Sequence, residues 1–191
     1  MFEGRYVNKI AITNGPAARR GLYVGTIRSN ASAQINDTLA LRHVWNNYNR
    51  VVRPMRVLEG TNTWTYNTNA WRQANASAAN QLAFILGLAE DEVEATAIGR
   101  CINSAGATTV GTGIGLDSTT ALASGAIAPY TDSANANFKQ LGMSLWRGYP
   151  GLGSHYLAWL ENGFGSGGVT TWIGDNGGTG EQTGIQGRVF A

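Results

Sequence analysis

The residues of this sequence that could do chemistry are its acids, its two histidines and its one cysteine. Acid–base hydrolysis needs a nucleophile beside a base, or two carboxylates that flank one bond. Ser154 and His155 are neighbours in the sequence, so in a strand their side chains point to opposite faces and cannot pair. Asp117, Glu161 and Asp175 are the acids that a glycosidase could use, but nothing in their spacing brings two of them together. We interpret all three as turn residues and predict that the protein is not an enzyme.

Cofactor and metal chemistry has little support in the sequence. One cysteine and two histidines, far apart, make a poor zinc site. The string "GFGSGG", residues 163–168, has the glycine spacing of a dinucleotide-binding loop. Such a loop must lead into a helix whose amides face the phosphates, and here the strand-like "VTTWIGD" follows. We predict no cofactor and no metal, and we interpret Cys101 as a buried, inert thiol.

The stretch "RHVWNNYNRVVRPMRV", residues 42–57, combines four arginines with two large aromatic residues. It could bind nucleic acid, but the net charge of +2 is small for a nucleic-acid-binding domain. Arginine, tryptophan and tyrosine are also enriched in protein–protein interfaces. We therefore predict that this stretch lies at a subunit interface. The residues assigned to that interface are Trp45, Tyr48, Arg50, Arg53 and Arg56.

The elements that must position these residues are predicted to be short strands. Only 14% of the 191 residues are charged, 26 are glycine, and turn signals recur every 8–15 residues. This pattern predicts an all-β fold, a β-sandwich or jelly roll with at most one or two short helices. The best helical candidate starts after Asp37, with apolar residues at helical spacing up to Tyr48. Pro54 indicates an edge strand or a bulge.

Glycines at 111, 113 and 115 occupy every second position of a predicted strand. In a strand these glycines share one face, which is then bare backbone. We expect another chain segment or a ligand to lie very close to that face.

One β-rich domain is expected over residues 21–191, preceded by residues 1–20 as an N-terminal arm or first strand and possible attachment segment. The N-terminus lacks the apolar core of a signal peptide, and no apolar run is long enough for a membrane span. We expect a protein made in a cytoplasm, without membrane or nucleic-acid partners.

Several strings, taken in order, resemble a family of structural proteins from the virions of tailed bacteriophages. They are "GLYVGTIRSN", "RHVWNNYNRVVRPMRV", "WTYNTNAWRQANASAANQL", "GIGLDSTT", "GSHYLAWLE" and "TTWIGD". The resemblance runs from about Leu22 to Arg188 and includes no catalytic motif. It implies a β-rich, self-associating virion component attached to a head or a tail.

Two functions follow from this resemblance. The first is a capsid decoration (cement or head-fibre) protein that forms homotrimers and contacts other virion proteins, such as the major capsid protein. The second is a tail-associated protein that binds a host-surface glycan. In the second case exposed tryptophans would stack on sugar rings; the candidates are Trp64, Trp71 and Trp172, together with Trp146 and Trp159.

Overall fold

The computed structural model describes residues 5–29, 34–128, 130–165, 167–174 and 180–191. Fourteen strands and one turn of 3₁₀ helix are present in this part of the chain. The strands are β1 Gly25–Ile27, β2 Leu41–Arg42, β3 Val44–Asn46, β4 Val52–Leu58, β5 Thr63–Thr65, β6 Arg72–Gln73, β7 Gln81–Leu86, β8 Val93–Asn103, β9 Thr108–Leu116, β10 Tyr130–Ser133, β11 Lys139–Gly148, β12 Gly153–Asn162, β13 Thr170–Ile173 and β14 Gly184–Phe190. The 3₁₀ turn spans Ala74–Ala76. The predicted all-β sandwich is confirmed.

Two six-stranded sheets form the sandwich. Sheet 1 has the order β10-β9-β12-β7-β2, with β6 also paired to β12. Sheet 2 has the order β4-β14-β8-β13-β5, with β11 paired to the free side of β8. All these pairings are antiparallel except β2 with β7. A separate two-stranded ribbon joins β1 and β3.

The hydrophobic core lies between the two sheets. Strand β8 shows how the sequence creates it, because its residues alternate between buried and partly exposed along all eleven positions. Val93, Ala95 and Ala97 face inward and belong to the same core cluster as Phe84 and Trp159 from sheet 1. Large rings fill the space left by these small side chains, as close packing of an interior requires.

The predicted helix after Asp37 is wrong. Leu41–Arg42 pairs with β7, and Val44–Asn46 pairs with β1, so this segment contains two short strands. Asp37 forms an ion pair with Arg53 and is not a helix cap. The apolar spacing fits a helix as well as two strands, and sheet pairing decides between them.

Two other expectations are confirmed. Pro54 lies in β4, which ends the order of sheet 2, so its missing N–H costs no ladder bond. The bare face of β9 is covered by the protein itself. A Cβ atom added at Gly111 or Gly113 would press on the Trp71 ring, and one at Gly115 would press on the backbone of Ser118.

The described part of the N-terminal segment folds back on the sandwich. Val7 and Leu22 form an isolated antiparallel bridge, and the Asn8 amide N–H donates to the Gly21 carbonyl at 3.1 Å. Tyr6 and Tyr23 pack against the main core. No helix in the described ranges is long and apolar enough to cross a membrane.

Candidate interaction surface

Trp45 is the centre of a buried polar cluster. Its indole N–H donates a 2.6 Å hydrogen bond to Asp91 Oδ2, and the Arg50 guanidinium pairs with Oδ1 of the same carboxylate. Tyr23 stacks on the Trp45 ring at 5.9 Å, and a Cβ atom at Gly87 would overlap that ring. Trp45 is only 1% exposed within its own chain. Its assignment to a subunit interface is therefore wrong, because the ring is already covered.

The other residues of the basic stretch divide between internal pairs and open positions. Arg42 donates to the Pro54 carbonyl, at 2.6 Å from one terminal nitrogen, and lies beside Asp37. Arg53 pairs with the same aspartate. Tyr48, Arg50 and Arg56 are exposed. Because the Arg50 guanidinium is paired with Asp91, Tyr48 and Arg56 are the assigned residues left open to a partner.

Most of the tryptophans proposed for sugar stacking are buried. Trp146, Trp159 and Trp172 are at most 4% exposed, so the sugar-stacking assignment of Trp172 is wrong. Trp64 is half-buried, packs edge-on against Trp159 and donates its N–H to Glu161. Each of these rings is either packed between the two sheets or held by an internal hydrogen bond.

Trp71 belongs to a half-open aromatic cluster on the outer face of sheet 1. Its ring lies edge-on to Phe164 at 6.2 Å, and Phe164 lies edge-on to Tyr130 at 4.5 Å. Tyr130 is exposed, whereas Trp71 and Phe164 lie over the glycines of β9. Trp71 covers the bare backbone of β9, so Tyr130 is the ring of this cluster that is accessible to a ligand.

Glu161 is fully buried within β12, so the expectation of a turn residue is wrong; Asp175 lies outside the described residues. Its Oε1 accepts from Arg72 Nε at 2.8 Å and from the Asn75 amide at 3.1 Å, and its Oε2 accepts from Trp64 at 2.7 Å. Arg72 also lies 3.7 Å from the centre of the Tyr66 ring. Burial raises the pKa of Glu161 to about 7, against the opposing effects of Trp64, Arg72 and the Asn75 amide. The carboxylate joins sheet 1 to the Trp64 strand of sheet 2.

Asp117 and His155 form a pair that the sequence did not reveal. His155 Nδ1 lies 2.8 Å from Asp117 Oδ2, and the Tyr156 amide donates to Oδ1 of the same aspartate at 2.9 Å. The Ser154 side chain points to the opposite face of β12, as expected for neighbouring residues in a strand, and its hydroxyl accepts a hydrogen bond from Arg28. His155 Nε2 is buried, and no described group hydrogen-bonds to it. This pair holds the β9–β12 corner together, with the Asp117 carboxylate partly exposed and the second His155 nitrogen buried.

Cys101 is buried, as expected from the sequence. Burial, with a smaller effect from the nearby Glu161, raises the pKa of its thiol to about 12. A thiol that stays protonated at neutral pH is a poor nucleophile and a poor metal ligand.

The outer face of sheet 2 has the reverse of the usual polarity along β11. The side facing the core carries Gln140, Gly142 and Ser144, all buried, before the strand reaches Trp146. The side facing solvent carries an aliphatic stripe, which we define as Leu141, Met143, Leu145 and the bridged neighbour Ile127. These four side chains are 41–65% exposed. Contiguous exposed apolar patches are typical of interaction sites, so this stripe is a candidate interaction surface.

A groove of about 790 Å³ adjoins this stripe and crosses β4, β14, β8 and β11. Its walls are aliphatic and its floor is polar. Leu39 and Val52 form the wall at the β4 edge, and Ile127 and Leu145 form the wall at the β11 edge. The floor and ends are formed by Arg56, Glu94, Thr96, Arg147, Gln186 and Arg188.

Ion pairs fix most of the charge in this groove. Arg188 Nε lies 2.7 Å from Glu94 Oε1, and Arg147 lies 2.5 Å from Glu92. The guanidinium of Arg56 has no hydrogen-bond or ion-pair partner among the described residues. The groove therefore offers one uncommitted positive charge between aliphatic walls.

Comparisons with known proteins do not assign this chain to a family. No protein-family model matches the chain, and no curated protein matches its sequence. Within the described ranges, no three histidine, cysteine, aspartate or glutamate side chains come together as metal ligands. The groove and the aliphatic stripe together form the candidate interaction surface of this protein.

Proposed function

We propose that this protein is a structural component of a bacteriophage virion, a capsid decoration protein that assembles as a homotrimer. The observation that supports self-assembly most directly is the reversed polarity of β11. Three consecutive outward positions, Leu141, Met143 and Leu145, are aliphatic, although the inward positions opposite them are polar or small. Exposed aliphatic area of this kind is favourable only when a partner removes it from water.

The interior of the sandwich is consistent with a scaffold role. The buried polar groups Asp91 and Glu161 each accept several hydrogen bonds from residues distant in sequence. Such satisfied networks fix one arrangement of the strands. A rigid β-sandwich with one face to be covered suits a repeated particle component, as the resemblance to virion proteins implies.

A tail-associated, glycan-binding role is the alternative, and the aromatic cluster on sheet 1 favours it. Tyr130 is 56% exposed next to Phe164 and Trp71. Sugar recognition would then use the Tyr130 ring together with the exposed edge of the cluster. Trp172 has no part in this alternative, because its ring is inside the sandwich.

Gold-labelled antibody on purified, salt-washed phage particles tests the proposal. Label on heads is the expected result. Label confined to tails would favour the glycan-binding alternative, which Tyr130→Ala should then weaken in binding assays with host polysaccharide. Particles free of the protein would contradict a virion role altogether.

A further inference from the structure

We propose that the sheet 2 groove receives the β7–β8 turn of a second copy of this chain, with Glu90 of that copy against Arg56. This inference rests on the proposed self-assembly and specifies the surface, the partner and the central contact.

The floor of the groove shows why Arg56 is the position to be filled. Strand register places Arg56 beside Gln186, and Gln186 beside Thr96, so its row of the sheet contains no acid. The next row contains Arg188 beside Glu94, which neutralise each other. An exposed guanidinium that lines a groove and has no counter-charge favours an incoming carboxylate.

Glu90 is the carboxylate of this chain that fits that requirement. It is exposed, and no described group pairs with it. Nearly all other described acids already have a partner; Asp91 and Glu92, the residues that follow it, pair with Arg50 and Arg147. One unpaired acid on a turn and one unpaired guanidinium in a groove are complementary charges of the same chain.

The turn that carries Glu90 is already fixed in position. Asp91 is anchored by Trp45 and Arg50, and Glu92 by Arg147. Glu90 therefore projects from a turn whose next two residues are tied down, so little conformational entropy is lost when it binds. The exposed Ala89 beside it is small enough to enter between aliphatic walls.

The size of the face fits a second protein chain better than a small ligand. Strands of seven to eleven residues across β4, β14, β8 and β11 present roughly 500 Å² of projected area. The uneven side-chain surface and the bordering turns add to this area, which brings the contact area of the face close to the ~800 Å² per partner of an ordinary interface. The apolar row formed by Met143, Ile98 and Leu58 continues the face beyond the groove.

Groove and turn are different parts of one chain, so the contact can pair two copies reciprocally about a twofold axis or join copies head-to-tail; the proposed homotrimer requires the head-to-tail form. Each copy would give its turn to one neighbour and receive the turn of another. Head-to-tail contacts of this kind close into rings when the rotation permits. A ring of three copies agrees with the proposed homotrimer.

Reciprocal charge reversal tests the inference on the full chain. Arg56→Glu and Glu90→Arg should each weaken assembly at least about tenfold in sedimentation equilibrium, and the double variant should recover most of that loss. Arg20→Glu is the matched control, since Arg20 is exposed and lies away from the groove. Circular dichroism and melting curves identify any variant that fails to fold.

Three outcomes would overturn the inference. They are single variants that assemble like Arg20→Glu, a double variant without recovery, or a wild-type chain that stays monomeric at the highest concentration. A monomeric wild type that still labels phage particles would reject the second-copy contact and leave the virion role standing. A trimer unaffected by either reversal would reject this interface and leave self-assembly standing.

Discussion

The indole N–H of Trp45 donates a 2.6 Å hydrogen bond to the buried carboxylate of Asp91, which follows it by 46 positions. This bond ties the β3 strand to the turn between β7 and β8. Arg50, from the same basic and aromatic stretch, forms an ion pair with this carboxylate. The stretch therefore acts first inside the chain, by holding a turn in place.

Replacing Trp45 by Phe should destabilise the fold by about 2 kcal/mol or more. The ring volume is largely kept, but the buried Asp91 loses a donor, and a buried acceptor without its partner costs about 1–3 kcal/mol. Urea denaturation followed by circular dichroism measures the change. Tyr48→Phe is the control, because Tyr48 is exposed. Equal midpoints for the two variants would contradict this role of Trp45.

Gly87→Ala should destabilise the protein by about 1–3 kcal/mol, because the new methyl group would overlap the Trp45 ring. Gly60→Ala is a matched control, since a Cβ atom there meets nothing within 4 Å. Thermal melting of both variants distinguishes them. Equal melting temperatures for Gly87→Ala and Gly60→Ala would contradict the packing of the Trp45 ring against Gly87.

Glu161 should make stability depend on pH. Burial raises its pKa from 4.5 to about 7 in the folded protein. The unfolded chain then releases its proton first as pH rises from about 4.5 to about 7, so this group lowers the free energy of unfolding across that window. The loss amounts to about 3 kcal/mol and is complete above pH ~7.

Glu161→Gln removes this titration. The single Gln oxygen can still accept from Arg72 and the Asn75 amide, while the Gln NH2 replaces the oxygen that accepts from Trp64, so the variant loses one hydrogen bond at every pH. The free energy of unfolding, measured in urea at pH values from 4.5 to 8, should fall more steeply with pH for the wild type than for the variant. Parallel curves for the two proteins would show that Glu161 does not titrate in this window.

The sequence predicted local periodicity well and distant partners poorly. The glycines of β9 correctly indicated a covered bare face, but Trp71, which covers it, lies about 40 residues away and has no sequence signal pointing there. The sequence predicts a turn at Glu161 and has no signal that Asp91 is buried. Both are buried because donors from other strands surround them.

The sequence also does not show which side of β11 faces the core. Its alternation between aliphatic and polar or small residues predicts a strand, but the usual rule would turn Leu141, Met143 and Leu145 inward. Close approach of β9 demands small inward residues instead, since a Cβ atom on Gly142 would press on Thr112. Tertiary packing therefore reverses the expected faces and exposes the aliphatic stripe.

The aliphatic stripe should drive assembly. Met143→Lys places a charge on this face without filling the core, because Met143 is 47% exposed. Burying a lysine ammonium in an apolar interface is strongly unfavourable, so the variant should remain monomeric. Ile10→Lys changes the same type of residue at a site 74% exposed in the N-terminal segment and should assemble normally.

Sedimentation equilibrium of the wild-type chain over a wide concentration range tests self-assembly through sheet 2 most directly, with Met143→Lys and Ile10→Lys measured alongside. The predicted result is a wild type and an Ile10→Lys variant that reach three times the chain mass of 20.3 kDa, with Met143→Lys held at the monomer mass. A wild type that sediments as a monomer throughout, or a Met143→Lys variant that assembles as well as the wild type, would contradict it.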